Sequence, residues 1–404
     1  MKFALIELII LMLITSSCNR MSEVTEQIAP QPSPTPSHPP EKIDADLERT
    51  ITGIAEAARG KVGVGALLLE TGDAAYLNRN DHFAMQSVYK LPIAMAVGQV
   101  IDKGSLKFDS DISITPADYV RRGFHSPIRN LNPRGTVMRL DDVIRYSISE
   151  SDGSANDVLL NLAGGPQNVQ QYLASIGITD MMIANSTKEI SRDWDTQYRN
   201  YASPEASVNL LKALIDRRAG LSERTTTLIF DSLLESDTGR HRIHRGLPEG
   251  ATLAHKTGTG GHPSEVPGYR PPANANVSST LPDRSVASGV DKRAFKRSSQ
   301  SDQGSNNLRS TVNTRPVNSP RKGRTLSSNK DIDSEESDVI TNEVTSATND
   351  IGIINLPDGR HIILAVYVQD SVADGPTREK VIADIARAVC ARWTTGQLME
   401  ISSK

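Results

Sequence analysis

The spacing of apolar residues changes repeatedly along this chain, and each change marks an element. From Ala45 to Ala58 apolar residues recur at helical intervals. Val62–Glu70 (VGVGALLLE) is a short apolar run, and Thr71-Gly72-Asp73 turns it into a second strand. Ser87–Ile101 is apolar on almost every side, which predicts a helix buried within the fold. Further helical stretches cover Leu140–Ser149, Ser154–Ala163, Pro166–Ile176, Pro204–Asp216 and Ser222–Leu234, separated by short Gly, Pro or Asp breaks. Strands return at Thr252–Lys256, Asp350–Leu356 and His361–Val368, with Leu356-Pro357-Asp358-Gly359 as a hairpin turn. A last helix is expected from Thr377 to about Trp393. Strands at both chain ends with helices between them predict an α/β fold: one antiparallel sheet formed from both ends and flanked by helices, plus an all-helical lobe.

Two stretches depart from that plan. Residues 19–42 are polar and carry Pro30, Pro32, Pro34, Pro36, Pro39 and Pro40, a composition that holds an extended linker rather than a core. Residues 261–346 are rich in Ser, Asn, Arg, Asp and Pro, with Tyr269 and Phe295 as their only aromatics. Such a segment cannot bury enough apolar surface to offset the entropy of ordering, so a disordered insertion is expected there. The catalytic-size domain is then 43–395, interrupted by that insertion.

Composition changes the picture little. The hydrophobic fraction is 37% over 404 residues, and the low-complexity stretches account for the deficit. A net charge of −3 gives no field that would select nucleic acid. The first 18 residues read as an export signal: Lys2, an apolar run from Phe3 to Ile14, then small residues to Cys18. Thr15-Ser16-Ser17-Cys18 also resembles a lipoprotein cleavage box, which would anchor the chain through a lipid on Cys18 and make 19–42 a tether. The other reading is a plain signal with an incidental cysteine. Cys390 then has no partner and falls in an apolar helical pattern, so it is expected in the core. No CxxC or HExxH spacing occurs, so neither a metal nor a cofactor is expected.

Three short motifs carry candidate chemistry. In Ser87-Val88-Tyr89-Lys90 the hydroxyl and amine share one helix face. A buried lysine with a lowered pKa can take the serine proton and so activate it as a nucleophile. Ser151-Asp152-Gly153 follows a helix, and its serine could relay a proton, although Asp152 could equally be a helix N-cap. Lys256-Thr257-Gly258-Thr259 ends a strand, offering a cation, two hydroxyls and a glycine that lets the backbone approach a ligand. Each motif alone is common by chance. The order SxxK, Ser-Asp-x, KTG is far more specific.

On these motifs the sequence resembles the class A β-lactamases over roughly residues 45–260 and 347–395. Gln86, His255, Gln197-Tyr198-Arg199-Asn200 and Ala347-Thr348-Asn349-Asp350 look most like the PER-type extended-spectrum branch. The resemblance implies hydrolysis of a small-molecule β-lactam through an acyl-enzyme on Ser87, by a monomer. Lys90 would help deprotonate the serine, and Ser151 would relay the proton to the lactam nitrogen. Lys256, Thr257, Gly258 and Thr259 would line the site of the substrate carboxylate, with backbone N–H groups of Ser87 and Thr259 as the oxyanion hole.

Two positions depart from that pattern. The family carries Asn where Gly153 stands. The glutamate that activates the deacylating water falls three residues before an apolar position, here Ile190, which places Thr187 in its slot. Glu189 lies two positions away and is taken as the catalytic carboxylate if the loop shifts. Two other functions remain open: a penicillin-binding peptidase or slow-deacylating β-lactam-binding protein, and a tethered binding protein without catalysis.

Overall fold

The computed structural model describes residues 38–265 and 344–401. The expected signal segment, most of the Pro-rich linker and residues 266–343 of the expected insertion lie outside the described residues.

The main sheet has six strands: β1 (Lys42–Ile43), β2 (Lys61–Leu68), β3 (Asp73–Leu77), β4 (Thr252–Thr259), β5 (Thr345–Asn355) and β6 (His361–Ser371). Their order is β1-β3-β2-β6-β5-β4, so strands from the two ends of the domain meet in the middle. All neighbours are antiparallel except β1 and β3, which run parallel. The two-residue β1 takes in the last residue of the expected linker: Lys42 N–H donates to Gly72 O at 2.7 Å. At the other end β5 begins at Thr345, so Thr345 and Ser346, read as insertion, are buried in the sheet.

Among the helices that flank this sheet or build the lobe beside it are α1 (Ala45–Ala55), α2 (Lys90–Asp102), α3 (Leu140–Ile148), α4 (Gly153–Leu162), α5 (Pro166–Ser175), α6 (Thr187–Ile190), α7 (Pro204–Ile215), α8 (Glu223–Leu234) and α9 (Gly375–Ile401). Alternation along the central strands sets the layers. Val62, Val64, Ala66 and Leu68 of β2, with Ile362, Leu364, Val366 and Val368 of β6, pack with Leu47 and Ile51 of α1 and Ile382, Ile385 and Val389 of α9. The intervening residues Leu67, Ile363, Ala365 and Tyr367 point into a second core built with α2, α3, α4, α5, α7 and α8. Gly65 lets α7 approach that face: a Cβ there would come within 2.7 Å of Val208 Cγ2. Helix α2 is buried along nearly its whole length, which is why its sequence shows no polar stripe.

Candidate active site

Ser87 lies in a single 3₁₀ turn, Gln86–Tyr89, that runs directly into α2. The Lys90 N–H donates back to the carbonyls of Ser87 and Val88, so serine and lysine share one continuous turn. Gln86 has φ 47°, a left-handed conformation that costs a non-glycine residue roughly 1 kcal/mol or more. Side chains from distant segments hold it. Gln86 Nε2 donates to Gln197 Oε1 at 2.7 Å. Asn349 Nδ2 on β5 donates to Ala84 O at 2.8 Å and Met85 O at 3.1 Å. Strand β4 presses on the same turn, since a Cβ on Gly258 would sit 2.4 Å from Met85 O. Only glycine permits that approach.

Ser151 is a second left-handed residue, at φ 54°. It leads into α4, whose N-cap is Asp152, accepting from Ala155 N at 2.9 Å and from Ile128 N at 2.7 Å. Two buried lysines converge on Ser151. Lys90 Nζ donates to its carbonyl oxygen and, at 3.1 Å, to its Oγ. Lys256 Nζ, from β4, donates to the same Oγ at 2.9 Å. The three motifs therefore meet at one hydroxyl: Lys90 and Lys256 both reach Ser151 Oγ, and Ser87 lies in the turn that carries Lys90.

Burial governs their electrostatics. Desolvation pulls Lys90 down from 10.5 to about 8, against the opposing pull of Asp152 and Asp157. Lys256 is held well below the ordinary lysine range, first by burial and then by the charges of Lys90 and Arg242, with Asp350 opposing. Two buried lysines close together disfavour each other's charge, and part of the Lys90 population is neutral near pH 8.

The rest of the KTG strand is braced rather than free. Thr257 Oγ1 lies 2.7 Å from Thr238 Oγ1. The buried Arg242 donates to Thr259 Oγ1 at 2.8 Å, to Asn349 O at 3.0 Å and to Glu379 Oε1 at 3.0 Å, tying β4 and β5 to α9.

The loop before Asn200 carries the remaining candidates. Asn200 Oδ1 accepts from Ala184 N and Asn185 N, at 2.8 and 2.9 Å, and Nδ2 donates to Asn185 O at 2.8 Å. Asp157, one turn along α4 from Gly153, receives Thr187 N at 2.7 Å and Lys188 N at 3.0 Å. The buried Thr187 hydroxyl is 2.6 Å from Tyr89 OH and accepts from Asn156 Nδ2 at 3.4 Å. Its methyl faces Gly153: a Cβ there would meet Thr187 Cγ2 at 3.1 Å, His125 O at 3.2 Å and Val120 Cγ1 at 3.3 Å. Glu189 does something else. Its Oε2 accepts from Ser186 N at 2.8 Å and Ser186 Oγ at 2.9 Å, closing a capping box on α6. Those bonds hold its carboxyl below the usual glutamate range.

Sequence reasoning did not single out Tyr89, Asn156, Asp157 or Arg242 as part of this site. For Asp157 a signal existed, four residues after Gly153 on one helix face. For Arg242 there was none, because its partners lie on β4, β5 and α9.

A half-buried serine in the turn that leads into a buried helix, with a lysine three residues on that shares the Ser151 hydroxyl with a second lysine, is compatible with nucleophilic chemistry at the serine. The model of the β-lactamase enzyme family matches residues 46–266 and 339–393. β-Lactamase VEB-1 of Pseudomonas aeruginosa is 30% identical over 346 residues, covering 85% of this chain and 88% of that protein. The extended-spectrum β-lactamase PER-1 of the same organism is 25% identical, covering 84% and 85%. The crystal structure of a β-lactamase from Chitinophaga pinensis is 31% identical with a TM-score of 0.64, covering 86% of this chain and 99% of that one. The chain belongs to the β-lactamase enzyme family, within class A, and is a β-lactam hydrolase.

Proposed function

We propose that this chain opens β-lactams through a covalent ester on Ser87. Neutral Lys90 takes the Ser87 proton as Oγ attacks the lactam carbonyl, and the N–H groups of Ser87 and Thr259 stabilise the oxyanion. The lactam C–N bond breaks as the proton passes from Lys90 through Ser151 Oγ to the leaving nitrogen. Lys256, Thr257 and Thr259 hold the substrate carboxylate, with Gly258 keeping the strand close. The observation that carries this reading is the meeting of Lys90 Nζ and Lys256 Nζ on Ser151 Oγ, at 3.1 and 2.9 Å, which links base, relay and carboxylate site. The segment from Met1 to Cys18 supports export, with lipid attachment at Cys18 as its finer form. A monomer suffices for this chemistry, since every residue invoked comes from one chain.

Intact mass after mixing with benzylpenicillin tests the proposal. Wild type should gain one acyl adduct and Ser87→Ala none, with the circular dichroism of the two proteins the same. An adduct forming on Ser87→Ala at the wild-type rate refutes the nucleophile. A slow-deacylating form of the same enzyme is favoured by one observation, the neutral Thr187 facing Gly153, where the family resemblance leads one to expect a carboxylate. Glu189 and Thr187 thus compete for the deacylation role, the first by its chemistry and the second by its place.

A further inference from the structure

Hydrolysis of an acyl-enzyme needs a group that accepts a proton from water. The uncharged groups around Thr187 cannot take a proton from water near neutral pH, while burial lifts the Asp157 carboxyl above its ordinary range. The Thr187 hydroxyl is engaged with Tyr89 OH and Asn156 Nδ2. Burial and the nearby Asp157 push the Tyr89 phenol far above its ordinary range, so it stays protonated. Asn156 Oδ1 is buried with no hydrogen-bond partner, an amide oxygen that can hold a water but not deprotonate it. Both Asp157 oxygens receive N–H groups of α6, and Glu189 is spent on Ser186. Nor is there slack for the loop to swing, because Asp157 and Asn200 pin it from two sides and the Thr187 methyl packs on Gly153.

We propose that Lys90 is the base that activates the deacylating water in this chain, the place of a carboxylate being filled by Thr187, bonded to Tyr89 and packed against Gly153. The inference rests on the Ser87 acyl-enzyme reading. Lys90 is in the same turn as Ser87 and has already returned its proton through Ser151 when acylation ends. It then accepts a proton from water as the water oxygen attacks the ester carbon. The C–Oγ bond breaks, Lys90 returns that proton to Ser87 Oγ, and the product acid leaves and ionises. The charged and titratable groups facing Lys90 are Asp152 and Asp157 from the start of α4, Lys256 from β4 and His125 from the preceding loop. The carboxylates favour the ammonium, whereas Lys256 and burial favour the neutral amine that the step needs.

The test is the rate at which the penicillin adduct is lost after free drug is removed, followed by intact mass from about pH 6 to about pH 10. The expected profile rises close to tenfold per pH unit and levels off above about 8, where Lys90 is neutral. A rise that continues without a plateau indicates hydroxide and overturns the proposal. So does a flat profile, or a midpoint below about 6, which marks a carboxylate. Glu189→Gln keeps the capping box, so a fall of more than about tenfold in that variant assigns the step to Glu189 instead. Thr187→Glu should accelerate adduct loss by ~10²–10⁴-fold and flatten the profile near neutral pH. Neither an adduct nor hydrolysed penicillin from wild type would refute the Ser87 reading itself, and this inference with it; hydrolysed penicillin without an adduct means that deacylation outruns acylation and overturns only this inference. An adduct with the wrong pH profile refutes only this inference.

Discussion

Two regions of this molecule are equally buried and chemically opposite. Between the sheet and helices α1 and α9 the space is filled by Leu47, Ile51, Val64, Leu364, Ile385 and their neighbours. At the Ser87 cleft, Lys90, Lys256, Ser151, Asp152, Asn156 and Asp157 are just as far from water. The first region gains free energy with every methylene it hides, at about 25 cal/mol per Å². The second takes two lysine amines out of water and holds Gln86 and Ser151 in left-handed backbone. The apolar layer therefore supports a cleft that is unfavourable on its own terms. It lies on the far side of the same strands, so the cleft can stay strained without the sheet loosening.

The largest break in this comparison is expected in the apolar layer. Ile51→Ala or Leu364→Ala, both fully buried, should cost about 2–5 kcal/mol of unfolding free energy in urea titrations. The acylation rate per folded molecule should not change. An equal loss of acylation rate would mean that the two regions are not separable.

Replacing the cleft lysine should act in the opposite direction. Lys90→Met should abolish the adduct yet stabilise the fold by roughly 1–3 kcal/mol near pH 7, because a penalised buried charge becomes a methionine. The folded-state value of about 8 lies below the ordinary 10.5, so below about pH 8 the lysine is charged in both states and the burial penalty is complete. Between about 8 and 10.5 the unfolded chain holds the proton that the folded chain has lost, and wild-type stability rises with pH. The gap between variant and wild type should shrink across that window. A gap that is constant with pH would show that the lysine carries no such penalty.

The smallest effect sharpens the comparison at one contact. Gly153→Ala gains helix propensity but meets Thr187 Cγ2 at 3.1 Å, so a net loss of about 1 kcal/mol is expected. Thr187→Ser removes that methyl, and in its background the same change should cost at least about 0.5 kcal/mol less. Additive costs in the double-mutant cycle would mean that His125 O and Val120, not Thr187, set the limit.

Much of the fold was legible in the sequence because period and breakers agree. The helices expected at Leu140–Ser149, Pro166–Ile176 and Pro204–Asp216 match α3, α5 and α7 to within a residue. The short parallel strand β1 was not legible, since two residues beside prolines carry no periodicity. For β5 the apolar pattern puts the start at Asp350, five residues late. Its first half, Thr345-Ser346-Ala347-Thr348-Asn349, is mostly polar because it flanks the Ser87 turn, where Asn349 holds the backbone at Ala84 and Met85 and Ser346 Oγ accepts from the Gln86 side chain. Motif order pointed to Ser87, Lys90, Ser151 and Lys256, and in the structure both lysines reach Ser151 Oγ. It could not show the capping role of Glu189 or the neighbours of Thr187. Which residue of an irregular loop points where depends on contacts such as Asp157 with Thr187 N, between residues thirty positions apart.

The pairing of β2 with β6 at the centre of the sheet also sets the order in which this protein can assemble. Val64 lies opposite Val366, so the two strands that share the sheet's middle are far apart in the chain, and β2 is made long before β6. A chain stopped before His361 leaves both β2 and β5 with an open edge, whatever its helices have achieved. Closing that gap means ordering a very long intervening loop, a cost that grows slowly with length but must be met before the pairing gives anything back. Helices such as α2 to α5 form from local contacts and can gather early, while the sheet waits for the last hairpin. Until that hairpin arrives β2 is paired on one edge, to β3, and open on the other.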